Sequence, residues 1–111
     1  MKIRAALTAL LFMSGTAFAA DNNLDWDNVE GEDGFNIYAK NASCSDTSAP
    51  WPSTPIASTG PDVLTFVHTV ADSGFNWCYR LTAFNANGES GFSNEAGKVP
   101  DAPGNLRVTG Q

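Results

Sequence analysis

The residues of this chain that could do chemistry are two cysteines, one histidine and a run of carboxylates. Cys44 and Cys78 stand 34 residues apart. Thiols at that spacing pair as a disulfide, bind a metal or act as reactive groups. A zinc site needs further nitrogen or sulfur ligands, and His68 is the only histidine. A redox pair is usually C-x-x-C, which is absent. The disulfide is the favoured reading, and closing that loop is worth up to about 4 kcal/mol. Asp25, Asp27, Glu30, Glu32 and Asp33 form the carboxylate run. Hard cations such as calcium take several oxygens, but the EF-hand spacing fails: counted from Asp21, the position that needs glycine is Trp26. A solvated loop is the plainer reading. Carboxylate pairs hydrolyse glycosides only across a cleft, and nothing in the pattern supplies one. His68 has no serine or cysteine nucleophile signature around it and reads as an ordinary strand residue with an exposed edge. No glycine-rich phosphate loop is present. The expectation is a protein that is not an enzyme and takes no cofactor or metal.

Binding is the better prospect. Trp51 lies between Pro50 and Pro52, where a rigid aromatic can stack on a sugar ring or enter a partner's pocket. It can equally cover the edge of a sheet. Tyr38 and Phe84 are read as further outward-facing aromatics that form a patch with it. Asn41-Ala42-Ser43 is a glycosylation sequon in a eukaryotic setting.

The elements that must position these residues follow from composition and pattern. A chain of 111 residues allows one domain. Lys2 and Arg4 precede an apolar run from Ala5 to Met13, and Ala17-Phe18-Ala19 has the small residues of a cleavage site. Residues 1–19 therefore read as a signal peptide, and no Cys follows to carry a lipid. Export places the protein in a secreted or periplasmic space, where a disulfide persists. The apolar run is too short to span a bilayer, so no membrane insertion is expected after cleavage. The formal charge is −6, and more negative still without Lys2 and Arg4. Such a surface repels phosphate backbones, which argues against nucleic acid as a partner.

After the leader, short β-prone runs alternate with Gly, Pro, Asn and Asp clusters. Leu24–Trp26 is the first run. Phe35, Ile37 and Ala39 share one face of the second. Val63–Val70 is the third, with either Val63, Thr65 and Val67 or Leu64, Phe66 and His68 facing inward. In the fourth, Trp77, Tyr79, Leu81 and Ala83 lie opposite Cys78, Arg80 and Thr82. A turn at Asn85–Glu89 follows, with Asn87-Gly88 suited to positive φ, and a last strand runs from about Phe92 to Val99. The proline-rich stretch from Pro50 to Pro55 reads as an extended loop or edge segment. The pattern is all-β, a two-sheet sandwich.

These residues resemble the fibronectin type III family. Ala83, Asn85, Gly88 and Ser90 match its A-x-N-x-x-G-x-S signature at the turn between the last two strands. Tyr79 and Leu81 match inward positions of the preceding strand, Ser93-Asn94 the start of the last, Trp26 the buried tryptophan of the second strand, and Phe35-x-Ile37 the inward pair of the third. The resemblance covers about Leu24 to Val99 and implies an immunoglobulin-like sandwich over residues 20–99. Two departures stand out. Trp77 occupies the place of the family's corner tyrosine, and an indole donates in a different direction from a phenol. The strand that normally opens the domain is missing before Trp26. The adhesive Arg-Gly-Asp loop of some members is also absent, so integrin-type adhesion is not implied.

A sequence like that opening strand, P-x-A-P-x-N-L-x-V-T, stands instead at Pro100–Thr109, within a tail of residues 100–111. It reads as the first strand of a following domain. The linker Pro100–Pro103 reaches at most about 14 Å, whereas a six-residue strand is about 20 Å long. The tail is thus poorly placed to fill its own domain's missing strand, and suited to fill that of a second molecule head to tail, with Leu106 and Val108 as the inserted residues. A plain exposed tail and some local packing are the other readings. The functional expectation is an interaction or spacer module that binds protein or polysaccharide. The alternative is a self-assembling structural subunit, a homo-oligomer joined through the C-terminal strand.

Overall fold

The computed structural model describes residues 19–110. The leader expected at residues 1–19 lies, except for Ala19, outside the described residues. Among these there are seven strands and no helix: β1 Ala20–Asp25, β2 Gly34–Lys40, β3 Ala57–Thr59, β4 Thr65–Val70, β5 Cys78–Asn85, β6 Gly88–Glu89 and β7 Ala96–Gly97. They form two antiparallel sheets. One is the pair β1-β4; the other runs β3-β2-β5-β6, with β7 also paired to β5. The arrangement is that of a two-sheet β-sandwich.

Alternation along each strand dictates which side chains meet between the sheets. Phe35, Ile37 and Ala39 of β2 are buried, and so is Tyr79 of β5. Across from them Leu24, Trp26 and Phe66 pack on the cluster of Ile37, Ala39 and Tyr79. The two possible faces of the Val63–Val70 run, which forms β4, are now resolved. Phe66 and His68 are half-buried and Val70 is buried, whereas Val67 is exposed on the other side. The pairing Leu24↔Phe66 fixes that choice, because it sets two inward apolar side chains beside each other. Trp26 meets Phe35 edge to face, with ring centroids 5.6 Å apart.

Three features differ from the expected strands. β1 starts at Ala20 rather than Leu24, because Asn22 turns inward and finds partners there. β3 follows the proline-rich stretch, a three-residue edge whose Ala-Ser-Thr sequence carries no apolar pattern. Short edges flanked by proline limit unwanted pairing. The last strand is split. Phe84 lies opposite Glu89 and Tyr79 opposite Ala96, so five steps along β5 are matched by seven along its neighbour. The two extra residues bulge, and serines bridge the gaps. Ser90 and Ser93 donate their backbone N–H groups to the carbonyls of Ala83 and Leu81, each at 2.8 Å. Their hydroxyls accept the N–H groups of the same two residues, each at 2.9 Å.

The disulfide between Cys44 and Cys78 is formed, with Cα atoms 5.0 Å apart. It ties the loop after β2 to the first residue of β5, which is fully buried. Trp77 donates from Nε1 to Asp72 Oδ2 at 3.3 Å. Its indole thus anchors the turn before β5 through a side chain five residues upstream.

Candidate functional site

The outer face of the larger sheet carries the expected aromatic patch, differently composed. The Arg80 guanidinium lies between two rings, 4.2 Å from the centroid of Trp51 and 3.6 Å from that of Phe92. Lys40 Nζ is a second cation over Trp51, at 5.1 Å. Phe92 in turn meets Tyr38 edge to face at 5.3 Å. Stacking of this kind holds a guanidinium while leaving few of its donors satisfied, and Arg80 Nε has no hydrogen-bond partner among the described residues. Trp51 therefore covers the sheet, with a ring face taken by Arg80. Tyr38 is a correction: it faces outward but is buried beneath Phe92. Phe84 does not join the patch and lies against Gly34.

Tyr38 leads to a second cluster. Glu89 Oε2 accepts hydrogen bonds from Tyr38 Oη at 2.5 Å, Thr82 Oγ1 at 2.5 Å and Asn36 Nδ2 at 2.9 Å. These donors hold the Glu89 carboxyl below its ordinary range, Thr82 contributing most. The Tyr38 phenol is pushed up, first by its bond to Glu89 and then by burial. Three donors on one oxygen make a structural clasp between β2, β5 and β6.

His68 sits on β4. It is half-buried in the core, edge-on to Trp77 and Tyr79 at 4.9 and 5.6 Å. Burial lowers the basicity of the ring, with Asp72 opposing. Nothing about it suggests a nucleophile's base. The carboxylates of the Asp25–Asp33 loop do not converge: among the described residues the one metal-like grouping is Cys44, Cys78 and Glu95, and there both sulfurs are in the disulfide.

A groove of about 400 Å³ lies between the sheets. One wall is β1, whose outer side pairs with no strand among the described residues. The other is formed by Tyr79 and Leu81 of β5 and by Asn94, Ala96 and Lys98 around β7. The groove exists because neither sheet closes over the core there. Leu24, Trp26 and Leu81 belong to the core yet are only partly covered. Trp26 Nε1 is a buried donor without a partner among the described residues. A strand edge beside half-covered apolar side chains is what an extended polypeptide pairs with. The lining residues Asn94 to Lys98 carry no sequence signal of this role.

Comparison with family models, with curated proteins and with solved structures gives no match.

Proposed function

We propose that the protein is a secreted or periplasmic, non-catalytic interaction module whose working surface is the open groove along β1. In this reading it takes an extended polypeptide segment by strand addition. The observation that carries it is the β1 edge, unpaired among the described residues, opening directly onto core side chains. The strand order supports a fibronectin type III-like sandwich, with β1 and β4 as one sheet and β3, β2, β5 and the split last strand as the other, and with no strand beyond β1 among the described residues. The disulfide supports export, because such bonds persist in oxidising compartments. Polypeptide is favoured over polysaccharide as the partner, because Trp51 has Arg80 and Lys40 over its ring rather than a free stacking face.

The test is an NMR titration of the exported chain with two probes, a twelve-residue peptide of the sequence 100–111 and a chitin hexasaccharide. The peptide is expected to shift amides of β1 and of Ala96–Lys98, and the sugar to shift none. Sugar-induced shifts at Trp51 and Arg80 without peptide-induced shifts at β1 would overturn the reading.

A further inference from the structure

We infer that the groove along β1 receives the C-terminal segment Gly104–Thr109 of a second copy of this chain, so that copies join head to tail. The inference rests on the groove being a strand-accepting site and adds the identity of its occupant.

Three observations select that segment. First, Leu106 and Val108 are 96% and 98% exposed, the two most exposed large apolar side chains of the described residues. They alternate with Asn105, Arg107 and Thr109, so an extended backbone puts both on one face. The groove presents half-covered Leu24, Trp26 and Leu81 to such a face. Second, the charges match. β1 carries Asp21 and Asp25 on its exposed side, while Arg107 hydrogen-bonds the Asn105 carbonyl within the tail, at 2.9 Å. In a paired strand Arg107, the one charged side chain of Gly104–Thr109, points outward with those aspartates, which favours that pairing.

Third, the tail of the same molecule is badly placed. Gly97 pairs with Cys78 and Ala96 with Tyr79, and Asn22 bonds the Tyr79 hydroxyl. The chain therefore leaves the sandwich at the Asn22 end of β1. Trp26 packs on Phe35, which pairs with Ala83, so Asp25 lies at the far end. A strand antiparallel to β1 has to enter at Asp25. The six steps from Lys98 to Gly104 span about 20 Å at 3.3 Å each, the length of β1 itself, and leave nothing for the reversal. Pro100 and Pro103 stiffen that path further. A second molecule stacked end to end meets no such limit. The contact joins two different surfaces, so repetition extends a chain of copies unless it closes into a ring.

The test uses the full chain after export. Its mass is measured by light scattering over a wide concentration range, beside the L106D/V108D variant, whose changes lie on exposed side chains and leave the sandwich intact by circular dichroism. The wild type is expected to rise through multiples of the monomer and the variant to remain monomeric. Chains with one added cysteine, N23C and R107C, the native Cys44–Cys78 bond kept, are mixed and oxidised and expected to give a cross-linked heterodimer; Asp21→Cys and Asp25→Cys sample the neighbouring registers. Oligomers that persist in L106D/V108D overturn the inference, as does an N23C/R107C double variant that cross-links only within monomers. A wild type that stays monomeric, while the free peptide 100–111 binds β1 of L106D/V108D, overturns self-assembly and leaves the strand-accepting groove standing. No peptide binding at all removes both.

Discussion

The Tyr79 hydroxyl lies 2.7 Å from His68 Nδ1 and accepts from Asn22 Nδ2 at 2.8 Å. Three strands, β1, β4 and β5, thus meet at one phenol inside the sandwich. The hydroxyl accepts from the amide and has its proton left for the imidazole, which suits a neutral ring with its hydrogen on Nε2. Burial holds the His68 basicity below its ordinary value of 6.5 and raises the Tyr79 phenol. The unfolded chain therefore binds a proton near pH 6.5 that the folded chain refuses. Stability from this site is complete above that pH. It declines as pH falls below 6.5, until the folded ring is protonated in turn. His68→Gln keeps an acceptor for Tyr79 but does not titrate. Urea midpoints at pH 7.5 and 5.5 are expected to fall for the wild type and to change less for H68Q. Equal declines would place the acid sensitivity elsewhere.

Gly34 is fixed by close approach rather than by backbone angle. A Cβ there would stand within contact distance of two groups at once, the Thr59 carbonyl oxygen on β3 and the Phe84 ring, whose Cζ would be 2.7 Å away. The carbonyl belongs to backbone and cannot swing aside, so Gly34→Ala has to part β3 from β2. A loss of about 1–3 kcal/mol is expected, in the range of overpacked sites. An unchanged urea midpoint would mean that β3 does not hold its place against Gly34.

Much of this architecture was legible in the residues, and the exceptions have physical causes. β5 reads clearly because Tyr79 and Leu81 face the core while Arg80 and Thr82 face the other side, where different chemistry covers them. The fourth strand was ambiguous because Val63, Thr65 and Val67 are as β-prone as Leu64, Phe66 and His68. Only pairing with Leu24, and the hydrogen bond from Tyr79, decides between the two sets. β3 was illegible, since Ala57-Ser58-Thr59 gains its place from β2 rather than from its own pattern. The bulges before Ala96 were illegible too, because Ser90 and Ser93 act through hydroxyls that bridge to backbone. For the site, the open edge of β1 depends on which strands pair, which its own residues do not encode. The buried position of Tyr38 could not be read, because it depends on Phe92 arriving across a bulged edge.

The disulfide joins a loop to a strand that is otherwise held on both sides. Cys78 pairs with Lys40 and with Gly97, and a Cβ on Gly97 would stand 2.9 Å from the Trp77 carbonyl oxygen. Removing the bond frees the Cys44 loop more than it disturbs β5. Its contribution comes mainly from the 34-residue separation that it closes in the unfolded chain, worth at most about 4 kcal/mol. Reduction, or C44A/C78A, is expected to lower the unfolding free energy from urea titration by up to that amount while the strand signature of the circular dichroism spectrum persists at low denaturant. Loss of that spectrum on reduction would show that the small core alone cannot hold the sheets together.

Glu89 offers the clearest separation of charge from packing. Its side chain is exposed, yet two of the hydroxyls it receives belong to buried residues, Tyr38 and Thr82. Glu89→Ala leaves both without their acceptor, a cost of about 1–3 kcal/mol for unsatisfied buried groups. Glu89→Gln retains an oxygen but loses the charge, so it is expected to fall between wild type and E89A. Because the three donors hold the folded carboxyl below the ordinary 4.5, the stability it adds is present above that pH. It is lost as pH falls through the lower, folded value. Wild type and E89Q should therefore differ at pH 6 and converge toward pH 3, when measured by urea unfolding. This window lies below that of His68, so the two effects separate along one pH series. A difference between wild type and E89Q that persists undiminished at pH 3 would assign the role of Glu89 to shape rather than charge.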